Sequence, residues 1–233
     1  MLKPISLFLL FLCFQLGISQ VPNEISDKEI SQILIESTKN LLNLECDKSL
    51  KNAQEALRFA HINENNALIA KSYNIIGLNF EEFSDFNKAI GFYKLGLKYA
   101  NKTTNDTLKG WLEGNLGNVY CYRKINFKEG IKHYTKGLEY SQKIKSDYEI
   151  MYANLNIASA YFSIGDFKNG NIYLKNSEKL VNNSDEIEAK ITYNSLNGSY
   201  FSHINDFEKA EEFYKNALKL GNDDKPHVVE GTV

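Results

Sequence analysis

Residues 84–100 read SDFNKAIGFYKLGLKYA. The segment reads as a helix, yet glycines stand at two interior positions, Gly91 and Gly96. An interior glycine costs a helix about 1 kcal/mol relative to alanine, so packing has to offset it.

The segment recurs. INFKEGIKHYTKGLEYS from Ile125, GDFKNGNIYLKNSEKLV from Gly165 and NDFEKAEEFYKNALKLG from Asn205 share its pattern, and Phe86, Phe127, Phe167 and Phe207 follow one another at 41, 40 and 40 residues. A degenerate copy has Cys46 in the same slot. Small residues occupy the position three after this marker, at Ser49, Ala89, Gly130, Gly170 and Ala210, and the position ten after it, at Ala56, Gly96, Gly137, Ser177 and Ala217. About two helical turns separate the slots, so they share one face. A neighbouring helix can approach closely there, and Gly91 is out of phase with it. Tyr93, Tyr134 and Tyr214 hold a third slot, where Leu174 substitutes.

Upstream of each marker lies a second amphipathic segment, with small residues at Gly77, Gly117, Ala158 and Gly198 and aromatic ones at Phe80, Tyr120, Tyr161 and Tyr200 or Phe201. The unit is therefore helix A, a short turn and helix B. Asp85, Asn126, Asp166 and Asp206 immediately precede helix B, where a side-chain oxygen can cap free backbone N–H groups. Gly117 to Phe127 is one residue longer than the matching intervals, and the extra residue is expected in the turn of the third repeat.

These motifs closely resemble the tetratricopeptide repeat (TPR) family, whose Leu-Gly, Tyr, Gly-Asp-Tyr and Ala-Leu signature is matched by Leu116-Gly117, Tyr120, Tyr161 with Gly165-Asp166-Phe167, and Ala217-Leu218. The resemblance implies an all-α, right-handed superhelical array of about five helix-turn-helix repeats, at 27–62, 66–101, 107–143, 147–181 and 185–221. The period near 40 exceeds the family's usual 34; longer helices and inter-repeat turns are expected to absorb the difference. Longer-period arrays behind an export signal resemble the extracytoplasmic sensor regions of Bacteroidetes-type histidine kinases and LuxR-type regulators.

Residues 1–19 read as a secretory signal peptide, with Lys3 ahead of an apolar run from Ile5 to Phe14 and small residues before Gln20. The array is expected over 20–221 and a short tail over 222–233, in an exported protein, periplasmic or extracellular, with no integral membrane segment once the signal is cleaved. The 27 basic and 29 acidic residues of the whole chain nearly cancel, which leaves no field for nucleic acid. Cys46 and Cys121 are too few for a disulfide scaffold or a zinc site, and no pairing between them is expected.

No catalytic residue, metal site or cofactor is assigned. His61, His133, His203 and His227 lack metal-ligand spacing, the acidic group Glu81, Glu82 and Asp85 is explained by solvation and capping, and Gly114-Asn115-Leu116-Gly117 lies inside a helix with no strand before it. The resemblance instead implies a concave face lined by A helices that binds a protein or peptide segment. Its groove candidates are Lys71, Asn74, Trp111, Asn115, Tyr122, Tyr152, Asn156 and Ser195, with Leu78, Asn118, Ser159 and Thr192 beside them, which describes a polar, aromatic groove. The Lys, Arg and Asn clamp by which some members hold a peptide carboxylate is not reproduced, since its slots contain residues such as Leu34, Thr38, Trp111 and Asn115. The alternative is an assembly protein that self-associates through its array ends, the C-terminal end in particular, where Phe213, Tyr214, Leu218 and Leu220 leave an apolar strip.

Overall fold

The computed structural model describes residues 25–223; the expected signal peptide and all of the tail beyond Asp223 lie outside them. Among the described residues ten α-helices run in five pairs: α1 (Asp27–Leu42) with α2 (Cys46–Ile62), α3 (Asn66–Glu82) with α4 (Phe86–Ala100), α5 (Asp106–Asn118) with α6 (Phe127–Ile144), α7 (Asp147–Ser163) with α8 (Phe167–Asn182), and α9 (Ile187–His203) with α10 (Phe207–Asp223). The fold is an all-α, right-handed superhelical array, with no strand among the described residues. Each helix packs most extensively on its hairpin partner, and each even-numbered helix also packs on the next odd-numbered one. Helix length absorbs much of the long period, α6 reaching 18 residues and α2, α3, α7, α9 and α10 each 17.

Every even-numbered helix begins on the marker residue, Cys46, Phe86, Phe127, Phe167 or Phe207. The turn before it has one design. A residue in left-handed conformation (Leu44, Ser84, Ile125, Gly165 or Asn205) follows helix A, and only Gly165 is free of the steric cost of that conformation. The next backbone N–H then donates back into helix A, as Asp85 N does to Phe80 O (2.8 Å) and Asp166 N to Tyr161 O (2.9 Å), satisfying a terminal carbonyl. Asp85, Asn126, Asp166 and Asp206 each accept from the backbone N–H three residues on, at 3.1–3.3 Å, so the expected caps are present. Glu45 of the first pair makes no side-chain cap.

The third repeat corrects one expectation. Its turn, Lys124 to Asn126, is no longer than the others; the extra residue sits in the end of helix A, where Val119–Arg123 form a π-helical turn. Asn126 N reaches back six residues to Tyr120 O (2.8 Å), whereas Asp85, Asp166 and Asp206 reach back five. Widening one helical turn keeps both the aromatic slot and the cap in register.

All ten small residues of the two helix-B slots are buried. Gly96 is needed for close approach, because a Cβ there would lie 2.7 Å from Leu112 of the next repeat, while a Cβ on Gly91 meets nothing within 4 Å. The small residue of helix A is matched in size to the third slot of helix B: Gly77 faces Tyr93, Gly117 faces Tyr134 and Gly198 faces Tyr214, while the repeat that has Leu174 has Ala158. The aromatic slot of helix A stacks on the residue just before that tyrosine position, as Phe80 on Phe92 (5.2 Å between centroids), Tyr120 on His133 (5.4 Å), Tyr161 on Tyr173 (5.8 Å) and Phe201 on Phe213 (5.4 Å). This places Phe201, rather than Tyr200, in the repeating slot. Lys88, Lys94 and Lys209 lay their amines over Phe80, Tyr120 and Phe201 at 5.0, 5.8 and 5.2 Å.

Candidate functional site

The odd-numbered helices line the inner face, and across the first three a cleft of ≈ 300 Å³ opens between them. This is at the small end of the range for ligand clefts, roughly 300–1,000 Å³. One face of each helix supplies it: Leu34, Ile35 and Thr38 from α1, Lys71, Asn74, Ile75 and Leu78 from α3, Leu108 and Trp111 from α5. The spacing of three and four residues within α1 and α3 is what brings these side chains onto one stripe. Thr38 Oγ1 donates to Leu34 O (2.9 Å), so its hydroxyl is occupied along its own helix. Ile35 and Trp111 remain 49% and 44% exposed, large apolar surface left open at the rim. Lys71 makes no ion pair with any described residue, which leaves one uncompensated cation in an apolar wall.

Of the groove candidates, Lys71, Asn74 and Trp111 line this cleft. Several of the candidates, Asn74 and Trp111 among them, also join neighbouring repeats. Asn115 Nδ2 donates to Asn74 Oδ1 (2.8 Å), Trp111 Nε1 to Glu149 Oε1 (2.7 Å), Tyr122 OH to Ser159 Oγ (3.1 Å) and Tyr152 OH to Glu186 Oε2 (3.5 Å). The Trp111 and Tyr122 contacts both cross from the third repeat to the fourth, where α5 and α7 approach less closely than α1 and α3 or α7 and α9 do. Burial, with Tyr148 and Glu186 close by, pushes the Tyr152 hydroxyl up to about 12. Asn156 is half-buried on α7, and Ser195 lies in a separate depression between α9 and α10.

The groove over the first three repeats is thus more apolar than the polar, aromatic face read from the sequence. Ile35, Ile75 and Leu108 were not singled out. For Ile75 the signal was present in α3, where Leu68, Ile69, Ile75, Ile76 and Leu78 place apolar residues on more than one side of the helix.

The reactive side chains are engaged in packing. His61 meets the edges of Tyr73 and Tyr99, His133 stacks on Tyr120 with Nδ1 2.5 Å from Glu113 Oε2, and His203 stacks on Phe167 at 4.0 Å; His227 lies outside the described residues. Solvation and capping explain Asp85 but not Glu81, which is partly buried, accepts from Tyr93 OH, and is raised above the usual carboxylate range by that burial. Cys46 and Cys121 are both free, and burial pushes the Cys121 thiol up to about 11. Among the described residues no group of three or more His, Cys, Asp or Glu could hold a metal ion, and no helix is long and apolar enough to cross a membrane.

No family model matches the sequence, and no curated protein does. Solved structures match its fold. BtubC from P. vanneervenii superposes with a TM-score of 0.72 at 18% identity, over 83% of this chain and 80% of that one. The apo form of RapI gives 0.68 at 15% identity, over 94% and 91%. A putative kinesin light chain of Podosopora anserina, with nearly identical TPR-like repeats, gives 0.65 at 9% identity, over 84% and 97%. At these identities the likeness is one of fold, and together with the repeating turn, cap and small-residue slots it shows that this chain has a tetratricopeptide-type fold.

Proposed function

We propose that this chain is an exported, non-catalytic scaffold that holds a protein segment on its inner face, seating apolar side chains in the cleft between α1, α3 and α5. The observation that carries this reading is the open apolar cleft with Trp111 at its rim and the unpaired Lys71 in its wall. Apolar burial supplies affinity, and a lone cation beside it selects a segment bearing an acidic group over a basic one. The leader-like residues 1–19 support placement outside the cytoplasm, and the resemblance to extracytoplasmic sensor regions supports a role as the sensing part of a signalling system.

Selection from a randomised displayed peptide library, with residues 20–233 as bait, tests the cleft. Enriched peptides should combine apolar residues with Asp or Glu; Lys71→Glu should reverse the charge preference, and Ile35→Asp should weaken binding about tenfold or more with helicity unchanged. Trp111→Ala is less suitable, because it also removes the bond to Glu149. Enriched peptides whose binding ignores both Lys71→Glu and Ile35→Asp would place the binding surface elsewhere.

A further inference from the structure

The first and the last of the described helices present different outer faces. In α3 the residues packed beneath α2 include Ile69, Ser72 and Ile76, all buried; the equivalent positions on α1 hold Glu29, Gln32 and Glu36, all exposed. The first helix therefore presents a polar face where an inner helix would present an apolar one. Such a face serves as a cap.

The last helix does the opposite. Tyr93, Tyr134 and Leu174 are at most 1% exposed, whereas Tyr214 in the same slot is 39% exposed. Leu138 is 7% exposed and its counterpart Leu218 is 68% exposed, with Phe207 at 66% on the same side of the helix. Beside this stripe, between α9 and α10, lies a depression of ≈ 520 Å³ lined by Ile191, Ser195, Tyr214, Ala217 and Leu218 among others. No described residue covers it.

We infer that this face is covered by the same face of a second copy, with the two α10 helices antiparallel about a two-fold axis near Phe213 and Tyr214. Charge order along α10 specifies the arrangement. Its first half has Glu208, Glu211 and Glu212 against Lys209, which pairs with Asp206 (2.9 Å). Its second half has Lys215, which pairs along the helix with Glu211 (2.7 Å), and Lys219. The first half is therefore net acidic and the second net basic, so an antiparallel pair sets opposite charge against opposite charge, while a parallel pair sets like against like. End-to-end stacking of α10 on another copy's α1 would press Tyr214 and Leu218 against Glu29, Gln32 and Glu36, burying charge without a partner. A two-fold contact closes after two copies. One helix face with its flank is a small interface, of the size class of weak, reversible contacts. The inference does not depend on what the α1–α3–α5 cleft binds.

Sedimentation velocity on residues 20–233, from low micromolar to several hundred micromolar, tests it. A reversible monomer–dimer equilibrium is expected. Leu218→Glu and, separately, Phe207→Lys should each raise the dissociation constant about tenfold or more at unchanged circular dichroism. Lys215→Glu should weaken the dimer and Glu211→Lys added to it should restore association, since the exchange re-creates both pairings. A monomer across the whole range overturns the inference, as does an open-ended series of oligomers, which would mean end-to-end stacking. A monomer that dimerises only after residues 224–233 are removed would assign the face to those residues instead.

Discussion

The ring of Tyr93 occupies the space that a side chain at position 77 would need: a Cβ on Gly77 would lie 2.4 Å from Tyr93 Cε1. The same fit recurs at Gly117 with Tyr134 and Gly198 with Tyr214, and is exchanged for Ala158 with Leu174 in the fourth repeat. The two positions behave as one unit of volume shared between helix A and helix B.

A double-mutant cycle measures that sharing. Gly77→Ala alone should destabilise the array by about 1–3 kcal/mol through overpacking. Tyr93→Leu alone should cost a few kcal/mol, about 3, for the lost ring. Combined, they re-create the fourth repeat's pair, so the double variant should be more stable than the sum by about 1 kcal/mol or more. Additive losses in urea unfolding would mean that the two positions are not coupled.

The two glycines that are out of phase and in phase should respond in opposite directions. Gly91 faces open space, so Gly91→Ala should stabilise the fold by about 0.5–1 kcal/mol through helix propensity. Gly137 lies against α5, where a Cβ would stand 3.5 Å from Gly110 O; alanine fits, and Gly137→Leu should cost about 1–3 kcal/mol. Melting temperatures that move the same way for Gly91→Ala and Gly137→Leu would reject the packing face.

The aspartate caps predict the acid limb of stability. Hydrogen bonds from Lys88 hold the Asp85 carboxyl below its usual value, and Asn169 and Lys209 do the same for Asp166 and Asp206. A carboxyl depressed in the folded state stabilises it above the unfolded value, about 3.9, and that contribution is lost as pH falls through the lower folded value. Burial of Glu81 acts in the opposite sense, so the informative quantity is a difference between proteins. Replacing Asp85, Asp166 and Asp206 together by Asn should leave the caps partly functional near neutral pH and flatten the fall in melting temperature below about pH 4. An acid limb as steep as the native one would show that other carboxyls carry it.

The sequence by itself determined the period, the pairing of helices, the start of each helix B, the four side-chain caps and the glycine-sized slots. Those features rest on interactions within a few residues or on equal volumes repeated at equal intervals, and both leave a pattern in one dimension. Tertiary structure alone decided where the extra residue of the third repeat goes, because a π-helical turn at Val119–Arg123 and a longer loop have the same spelling. It also decided what the inner-face residues do. Asn74 and Asn115, Trp111 and Glu149, and Tyr122 and Ser159 are 41, 38 and 37 residues apart, so their bonds depend on how one repeat is turned against the next. Ile35, Ile75 and Leu108 form a cleft for the same reason: each has the pattern of a core residue, and only the curvature of α1, α3 and α5 around one another leaves space between them.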